Sequence, residues 1–140
     1  MAISTRTLRD TNVNAAGAGG KVTILVNMND NTTDDSTILD ASALSGHANG
    51  AMLDITRMWW GLVQGTADDN TGWVQIQFVG ASSDTVAVNL AGNGHYDGTA
   101  GTINNDATNT TATSGDLELS AKGTSGYVII ELRKDENFSS

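Results

Sequence analysis

Apolar and polar residues alternate along several short stretches of the chain, and a period of two is typical of strands with one buried face. The stretches with this pattern are residues 21–28, 73–79, 85–90, 116–121 and 127–133. In residues 85–90, the alternation points Val86, Val88 and Leu90 toward the inner face. No segment has the 3.6-residue period of an amphipathic helix, so the pattern predicts an all-β protein.

Polar segments separate these predicted strands. Residues 29–35 and 122–126 are rich in turn-forming Asn, Asp, Thr, Ser and Gly, and both predict turns. Residues 36–44 are compatible with a short strand or a helical turn, and residues 3–9 with an edge strand or an extended arm. Residues 91–115 have no period, and loops of this length are usually functional or mobile.

All three tryptophans lie in residues 52–79, which we interpret as a long hairpin at the centre of the core, because aromatic side chains bury the most area. The first arm has a conflict of phase, since Ile55 and Met58 fall on opposite faces of a regular strand. A β-bulge near Arg57 would place both on one face, and burial of both faces of the strand would also remove the conflict. Trp60 is in phase with Met58 and is the predicted core residue.

The predicted fold is an antiparallel two-sheet β-sandwich of about seven or eight strands, similar to a jelly roll. Its domain occupies residues 21–134. Residues 1–20 form an N-terminal arm with a Gly/Ala linker, and residues 135–140 form a polar tail.

Trp59 is expected to point away from the core, because Trp60 points inward and adjacent residues of a strand point to opposite faces. Trp59 and the outward Trp73 are therefore candidates for a subunit interface, where tryptophan is enriched. Covering of these rings by the chain's own loops and a carbohydrate-binding platform are the alternatives.

The formal net charge of −9 argues against binding of nucleic acid, which needs clustered Lys and Arg. No apolar run is long enough to span a membrane, and the N-terminus lacks the apolar region of a signal peptide. Basic residues are concentrated near the start of the chain. We interpret Arg6, Arg9 and Lys21 as a partner-binding group that faces an acidic surface, with ordinary solvated charge as the alternative.

Catalytic and metal-binding patterns are weak. Cysteine is absent, and the chain contains no nucleophile motif and no phosphate-binding loop. A metal site made from His47, His95 and Asp97 is conceivable, but the spacing does not favour it. We therefore expect a protein that is not an enzyme and has no cofactor, and we leave open whether its acidic loops bind a cation.

Five sequence segments carry a resemblance to known proteins: WVQIQF, VNLAGNGHYDG, INNDATNTT, GDLELSA and GYVIIELRK. In the region from about residue 50 to residue 134, the chain resembles small virion structural proteins of marine tailed bacteriophages. The resemblance implies a non-enzymatic β-sandwich that decorates or cements a capsid by contacts with the major capsid protein. It also implies a homo-oligomer, with a trimer favoured.

This interpretation places the protein on the capsid surface of the virion after synthesis in the host cytoplasm. The alternative is a tail-associated module that binds a host surface or a carbohydrate through Trp59, Trp73 and residues 91–115.

Overall fold

Seven antiparallel strands make up most of the chain in the computed structural model, which describes residues 2–12, 19–64, 72–107, 115–135 and 138. The strands are β1 (Ala2–Asp10), β2 (Lys21–Leu39), β3 (Leu53–Gln64), β4 (Trp73–Phe78), β5 (Thr85–Ala91), β6 (Asn93–Tyr96) and β7 (Leu117–Lys134). A one-turn 3₁₀-helix, Ala41–Ala43, follows β2, so residues 36–44 contain both predicted alternatives. The all-β prediction is confirmed, and so is the strand count.

The two long strands, β2 and β7, hold the sheet together. They pair along their whole length, from Lys21 opposite Arg133 to Leu39 opposite Leu117. One region of the sheet has the order β1-β2-β7-β3-β6, and in the other region β7 pairs with β4, which pairs with β5. Because β2 and β7 run through both regions, all seven strands belong to one hydrogen-bonded sheet.

β7 is continuous where the sequence predicts two strands, so the predicted turn at residues 122–126 is wrong. Residues up to Lys122 pair with β4, and residues from Thr124 onward pair with β3. Gly123 and Gly126 have φ angles of +51° and +127° beside this change of partner. These conformations suit glycine, and they let one strand serve two neighbours in succession.

The acidic segment 29–35 also lies inside a strand, so the predicted turn is replaced by an irregular part of β2. Asp30 and Asp35 have φ angles of +48° and +51°. Their backbone N–H groups donate to the hydroxyl oxygens of Ser125 and Ser120 at 2.9 and 3.0 Å. Hydroxyl groups of β7 thus accept hydrogen bonds from backbone donors of β2 where the ladder shifts its register.

The hairpin predicted for residues 52–79 is wrong, although both of its strands exist. β3 pairs with β6 and β7, whereas β4 pairs with β5 and β7. The two strands lie one after the other along β7. An alternating pattern identifies a strand, but it carries no information about which strand is its neighbour.

Of the two explanations for the conflict of phase in β3, the β-bulge is the one that the structure shows. Ile55 lies opposite Leu132 and Arg57 lies opposite Glu131, so Thr56 is an extra residue between them. The extra residue brings Met58, which is 1% exposed, to the same buried face as Ile55.

A second bulge, at Ala87, changes the orientation of β5. Val88 lies opposite Ile76 but Val86 lies opposite Gln77, which leaves Ala87 unpaired in the ladder. Val86 is consequently 52% exposed, so its predicted inward orientation is wrong.

Part of the predicted loop at residues 91–115 is ordered into the sheet. β6 pairs with residues Met58 to Gly61 of β3, and Ile103 exchanges two backbone hydrogen bonds with Ile55. Residues 108–114 of this predicted loop lie outside the described residues.

The core is aliphatic and centred on β7, not on the tryptophans. Five apolar residues of β7 are completely buried: Leu117, Leu119, Val128, Ile130 and Leu132. Phe78 is the largest fully buried side chain. Trp60 is half-buried and packs against the core, and its Nε1 donates to the carbonyl of Ala91 at 3.1 Å.

Candidate interaction surface

Five outward-facing side chains form a row across the five strands of the region with the order β1-β2-β7-β3-β6. The pairing register places Arg6, Leu25, Ile129, Trp59 and His95 side by side, in the order β1, β2, β7, β3 and β6. The three central side chains are half-buried, and the two end residues are exposed. We call these five residues the tryptophan row.

An apolar patch continues from one side of the tryptophan row. Tyr127 is 40% exposed, and its ring covers Gly61, where an added Cβ atom would lie 2.8 Å from Cε1 of the ring. Val63, which follows on the same strand, is 60% exposed. Aromatic and aliphatic groups are therefore accessible together on this face.

Charged residues border the other side of the tryptophan row. The carboxylate of Glu131 lies 3.3 Å from the guanidinium of Arg9 and 3.9 Å from that of Arg57. Both arginine side chains are about half exposed. The surface thus has an apolar centre with a charged margin.

The predicted partner-binding residues lie on this face, near the β1 edge. Arg6 ends the tryptophan row, and Arg9 lies in the charged margin, where it pairs with Glu131. Lys21 is exposed at the first residue of β2, opposite Arg133. The segment that carries Arg6 and Arg9 is an ordered edge strand, which is one of the two predicted alternatives for residues 3–9.

The two predicted interface tryptophans lie in different regions of the sheet. Trp59 is opposite Ile129, whereas Trp73 is opposite Lys122. Their partners are seven residues apart on β7 (129 − 122), which corresponds to about 23 Å along a strand. The two rings therefore do not form one patch.

Trp73 is 37% exposed and separates two shallow grooves. The first groove has a volume of about 370 Å³ and is lined by Trp73, Gln75, Asn89, Leu90 and Ala91. The second has a volume of about 420 Å³ and is lined by Thr32, Thr33, Asp34, Trp73, Ala121 and Lys122. Amide and hydroxyl groups thus flank an exposed indole.

Two carboxyl groups near the start of β7 have altered acidity. Burial, followed by the charge of Asp84 and Asp35, raises the pKa of Glu118 to about 7. Burial also raises the pKa of Asp116 to about 6, against a hydrogen bond from the backbone N–H of Ala41. That hydrogen bond is 2.7 Å long. Both carboxyl groups therefore titrate closer to neutral pH than ordinary carboxyl groups do. They do not form a nucleophile–base arrangement with one another.

The histidines are not assembled into a metal site within the described ranges. His47 bridges to Phe138, and their rings meet edge to face with centroids 6.1 Å apart. His95 lies in the tryptophan row, and Asp97 accepts a hydrogen bond from the backbone N–H of Thr99 at 2.9 Å. Among the residues that the structure describes, no group of three His, Cys, Asp or Glu side chains is placed to hold a metal ion.

Leu25 and Ile129 are surface residues that the sequence interpretation did not single out. Ile129 lies within Val128-Ile129-Ile130, and such an uninterrupted apolar run indicates that both faces of the strand are apolar. That signal was present in the sequence. The meeting of Leu25 with Ile129 depends on the register of β2 and β7, which the sequence does not reveal.

Comparison with protein-family models, curated proteins and solved structures finds no match. In the described part of the chain, no helix has the length and apolar character needed to cross a membrane.

Proposed function

We propose that the chain is a non-enzymatic virion structural protein that decorates or cements the capsid of a tailed phage by contacts with the major capsid protein. The observation that supports this most directly is the tryptophan row, with its apolar centre and charged margin on an outer sheet face. Protein interfaces commonly have such an arrangement, with aromatic and Arg residues enriched. The resemblance of residues 50–134 to small virion proteins is the second support.

The side chains of the tryptophan row indicate how the protein would contact the major capsid protein. Trp59 supplies the central apolar area, and Leu25 and Ile129 extend it without adding charge. Arg6 at one end can pair with a carboxylate of the partner, and Arg9 and Lys21 add positive charge near the same β1 edge. Since the chain carries a net charge of −9, these three positive charges direct the acidic protein toward a complementary acidic patch.

Two structural features belong to the same proposal. The single sheet folds over its aliphatic core as a jelly-roll-like β-sandwich, with β2 and β7 shared between the two layers. Copies of the chain assemble as a trimer on the capsid surface, with neither nucleic acid nor membrane as a partner. Side chains from both sheet regions belong to one core cluster, which supports the folded-over arrangement.

Occupancy on purified particles tests the proposal. The chain is expected to be present in virions at a copy number comparable with that of the major capsid protein. Trp59→Ser and Arg6→Glu should each reduce binding to particles that lack the protein, about tenfold or more if they are central contacts. Trp73→Ser is the matched control, because it removes an exposed tryptophan elsewhere on the sheet.

Point substitutions are preferable to deletion of residues 2–12. A deletion would remove β1 together with Asp10, which pairs with the buried Lys134. Loss of binding would then reflect unfolding as readily as loss of contact. Wild-type occupancy in both Trp59→Ser and Arg6→Glu, with both variants folded, would contradict the proposal.

A host-surface or carbohydrate-binding module, associated with the tail, is the second candidate, and the Trp73 grooves favour it. An exposed indole can stack on the apolar face of a sugar, while Gln75 and Asn89 offer amide groups for its hydroxyls. Glycan-array binding that Trp73→Ser abolishes and Trp59→Ser preserves would support this candidate. A few copies per virion, in place of a coating, would also favour it.

A further inference from the structure

β5 is an edge strand, and its outer side pairs with no other strand in the part of the chain that the structure describes. Asn89 is exposed, and Ala87 and Val88 lie at the partly buried margin of the core. The carbonyl of Ala91 accepts a hydrogen bond from Nε1 of Trp60 at 3.1 Å, which fixes the end of the strand. The edge is therefore an ordered strand and not a loop.

The other two edges of the sheet are protected by charge or by short length, whereas the only irregularity in β5 is the bulge at Ala87. β1 carries Arg6, Arg9 and Asp10 along its length, and charges on an edge discourage pairing with another chain. β6 has only four residues. β5 has seven residues, and Thr-Val-Ala-Val-Asn-Leu-Ala contains neither a charge nor a proline.

The sequence of β5 is nearly symmetric about Asn89. Ala87-Val88-Asn89-Leu90-Ala91 reads as alanine, aliphatic, asparagine, aliphatic, alanine in both directions. In a twofold antiparallel pair centred on Asn89, Val88 would oppose Leu90 of the other copy, Ala87 would oppose Ala91, and Asn89 would oppose itself. Aliphatic groups would meet aliphatic groups, and the two amides could hydrogen-bond to each other.

We propose that β5 is a self-recognition edge that pairs antiparallel with β5 of a second copy of this chain, with the twofold axis at Asn89. A second copy fits better than a charged partner strand because the edge offers no counter-charge. A twofold antiparallel pairing of β1 centred on Arg6 would place the Arg6 side chains of the two copies against each other, which is unfavourable. The pairing requires no capsid, so it is independent of the function proposed above.

The dimer is expected to be weak. The five residues centred on Asn89 extend over about 17 Å, so the contact is smaller than a standard stable interface. The bulge at Ala87 and the hydrogen bond from Trp60 to the carbonyl of Ala91 limit the ladder at its ends. Two copies with a charge of −9 also repel each other, and added salt should strengthen the association by screening. Sedimentation velocity from about 10 µM to about 1 mM, in low salt and in about 0.5 M salt, covers the range of a weak dimer.

Asn89→Lys is the disrupting variant, because it places two ammonium groups against each other at the axis. It is expected to weaken self-association about tenfold or more. Asn27→Lys is the matched control, since Asn27 is also exposed but lies on β2, which is paired on both sides. This control should sediment as the wild type does.

Cysteine cross-linking tests the register directly, because the chain has no cysteine of its own. Directly opposed residues of antiparallel strands have Cα atoms about 4.5–5.5 Å apart, which is within the range that a disulfide spans. Mild oxidation should therefore convert Asn89→Cys to a covalent dimer at high protein concentration, and leave Asn27→Cys monomeric.

Two results would overturn the proposal. One is a wild-type protein that stays monomeric at about 1 mM in high salt, with Asn89→Cys cross-linking no faster than Asn27→Cys. The other is an oligomer that Asn89→Lys leaves intact, which would assign self-association to a different surface. Neither result bears on the Trp59 occupancy test, so the two proposals fail separately.

Discussion

The Nζ atom of Lys134 lies 2.6 Å from Oδ1 of Asp10, and this pair joins the last residue of β7 to the last residue of β1. The Lys134 side chain is fully buried, and its ammonium also donates to the carbonyl of Ser45 at 2.8 Å. The ring of Phe138 lies 5.2 Å from Nζ. Burial acts to raise the pKa of Asp10, but hydrogen bonds from Lys134 and Ser45 and the charge of Lys134 outweigh it, and the net pKa is lowered.

Removal of either partner should destabilise the fold, by unequal amounts. Asp10→Asn leaves a buried ammonium without its counter-ion, so we expect a loss of about 3–4 kcal/mol in the free energy of unfolding. Lys134→Met leaves a carboxylate that is 21% exposed and still reached by water, so about 2 kcal/mol is expected. Urea denaturation at pH 7 measures both.

Arg9→Gln is the control for this pair. It breaks the bond to Glu131, but the Arg9 side chain is 44% exposed, so the loss should stay below about 1 kcal/mol. If Asp10→Asn costs no more than Arg9→Gln, the buried pair is not a stabilising contact.

Glu118 should make the protein less stable as the pH rises. Its pKa of about 7 in the folded protein exceeds the ordinary value of 4.5, so the folded state binds the proton more tightly. The resulting stabilisation is complete below pH 4.5 and disappears as the pH rises through 7. Thermal melting of the wild type should therefore show Tm falling between about pH 5 and pH 8.

Two variants assign this pH dependence to Glu118. Glu118→Gln should flatten the fall and stabilise the protein at pH 8 by about 1 kcal/mol, a value reduced by solvent because the side chain is only partly buried. Asp84→Asn removes a neighbouring charge and should shift the fall to lower pH. An unchanged slope in Glu118→Gln would assign the effect to other groups.

The sequence predicted buried positions better than strand partners, for a physical reason. The apolar side of a strand is a local property of the sequence. The alternation in residues 127–133 places Val128, Ile130 and Leu132 on one side, and all three are buried. The bulge at Thr56 was also local, since the positions of Ile55 and Met58 conflict without it. The partners of β3 and β4 depend on contacts with β7, whose continuation past Gly123 no local pattern signals.

The tryptophan row likewise combines features that are local in the sequence with features that depend on strand pairing. The outward orientation of Trp59 follows from its position beside Trp60, which packs against the core. Its neighbours Ile129 and His95 come from strands far away in the sequence. Only the register of five strands brings the tryptophan row together, so its composition was not accessible from the sequence.

Gly126 should be the glycine least tolerant of substitution among those near β3. Its φ is +127°, and an added Cβ atom would lie 1.9 Å from the carbonyl oxygen of Gly61. Gly126→Ala should therefore cost about 3 kcal/mol or more, because strain and a backbone clash add. Chemical denaturation, or the soluble yield if the variant fails to fold, measures the loss.

Gly92→Ala separates the two causes. Gly92 has a φ of +64°, but an added Cβ atom would meet nothing within 4 Å. This variant should lose only about 1 kcal/mol in the free energy of unfolding, because only the conformational cost of the positive φ applies. Equal losses in the two variants would mean that the approach of β3 to β7 at Gly61 is not close in solution.

Phe78, not a tryptophan, should be the most costly aromatic side chain to remove. It is 1% exposed and lies between Thr85 of β5 and Leu117 of β7. Phe78→Ala should cost about 3–5 kcal/mol, since it loses buried area and leaves a cavity. Trp73→Ser removes a ring that is 37% exposed and should cost less than about 1 kcal/mol.

Trp59→Ser should fall between these two values, at about 1–2 kcal/mol, because the ring is half-buried against its strand neighbours. Urea denaturation of the three variants under one condition gives the order. A loss for Trp73→Ser as large as that for Phe78→Ala would place Trp73 in the core. It would then be unsuitable as the control for particle binding and as a sugar platform, since both roles need a ring that can be removed without disturbing the fold.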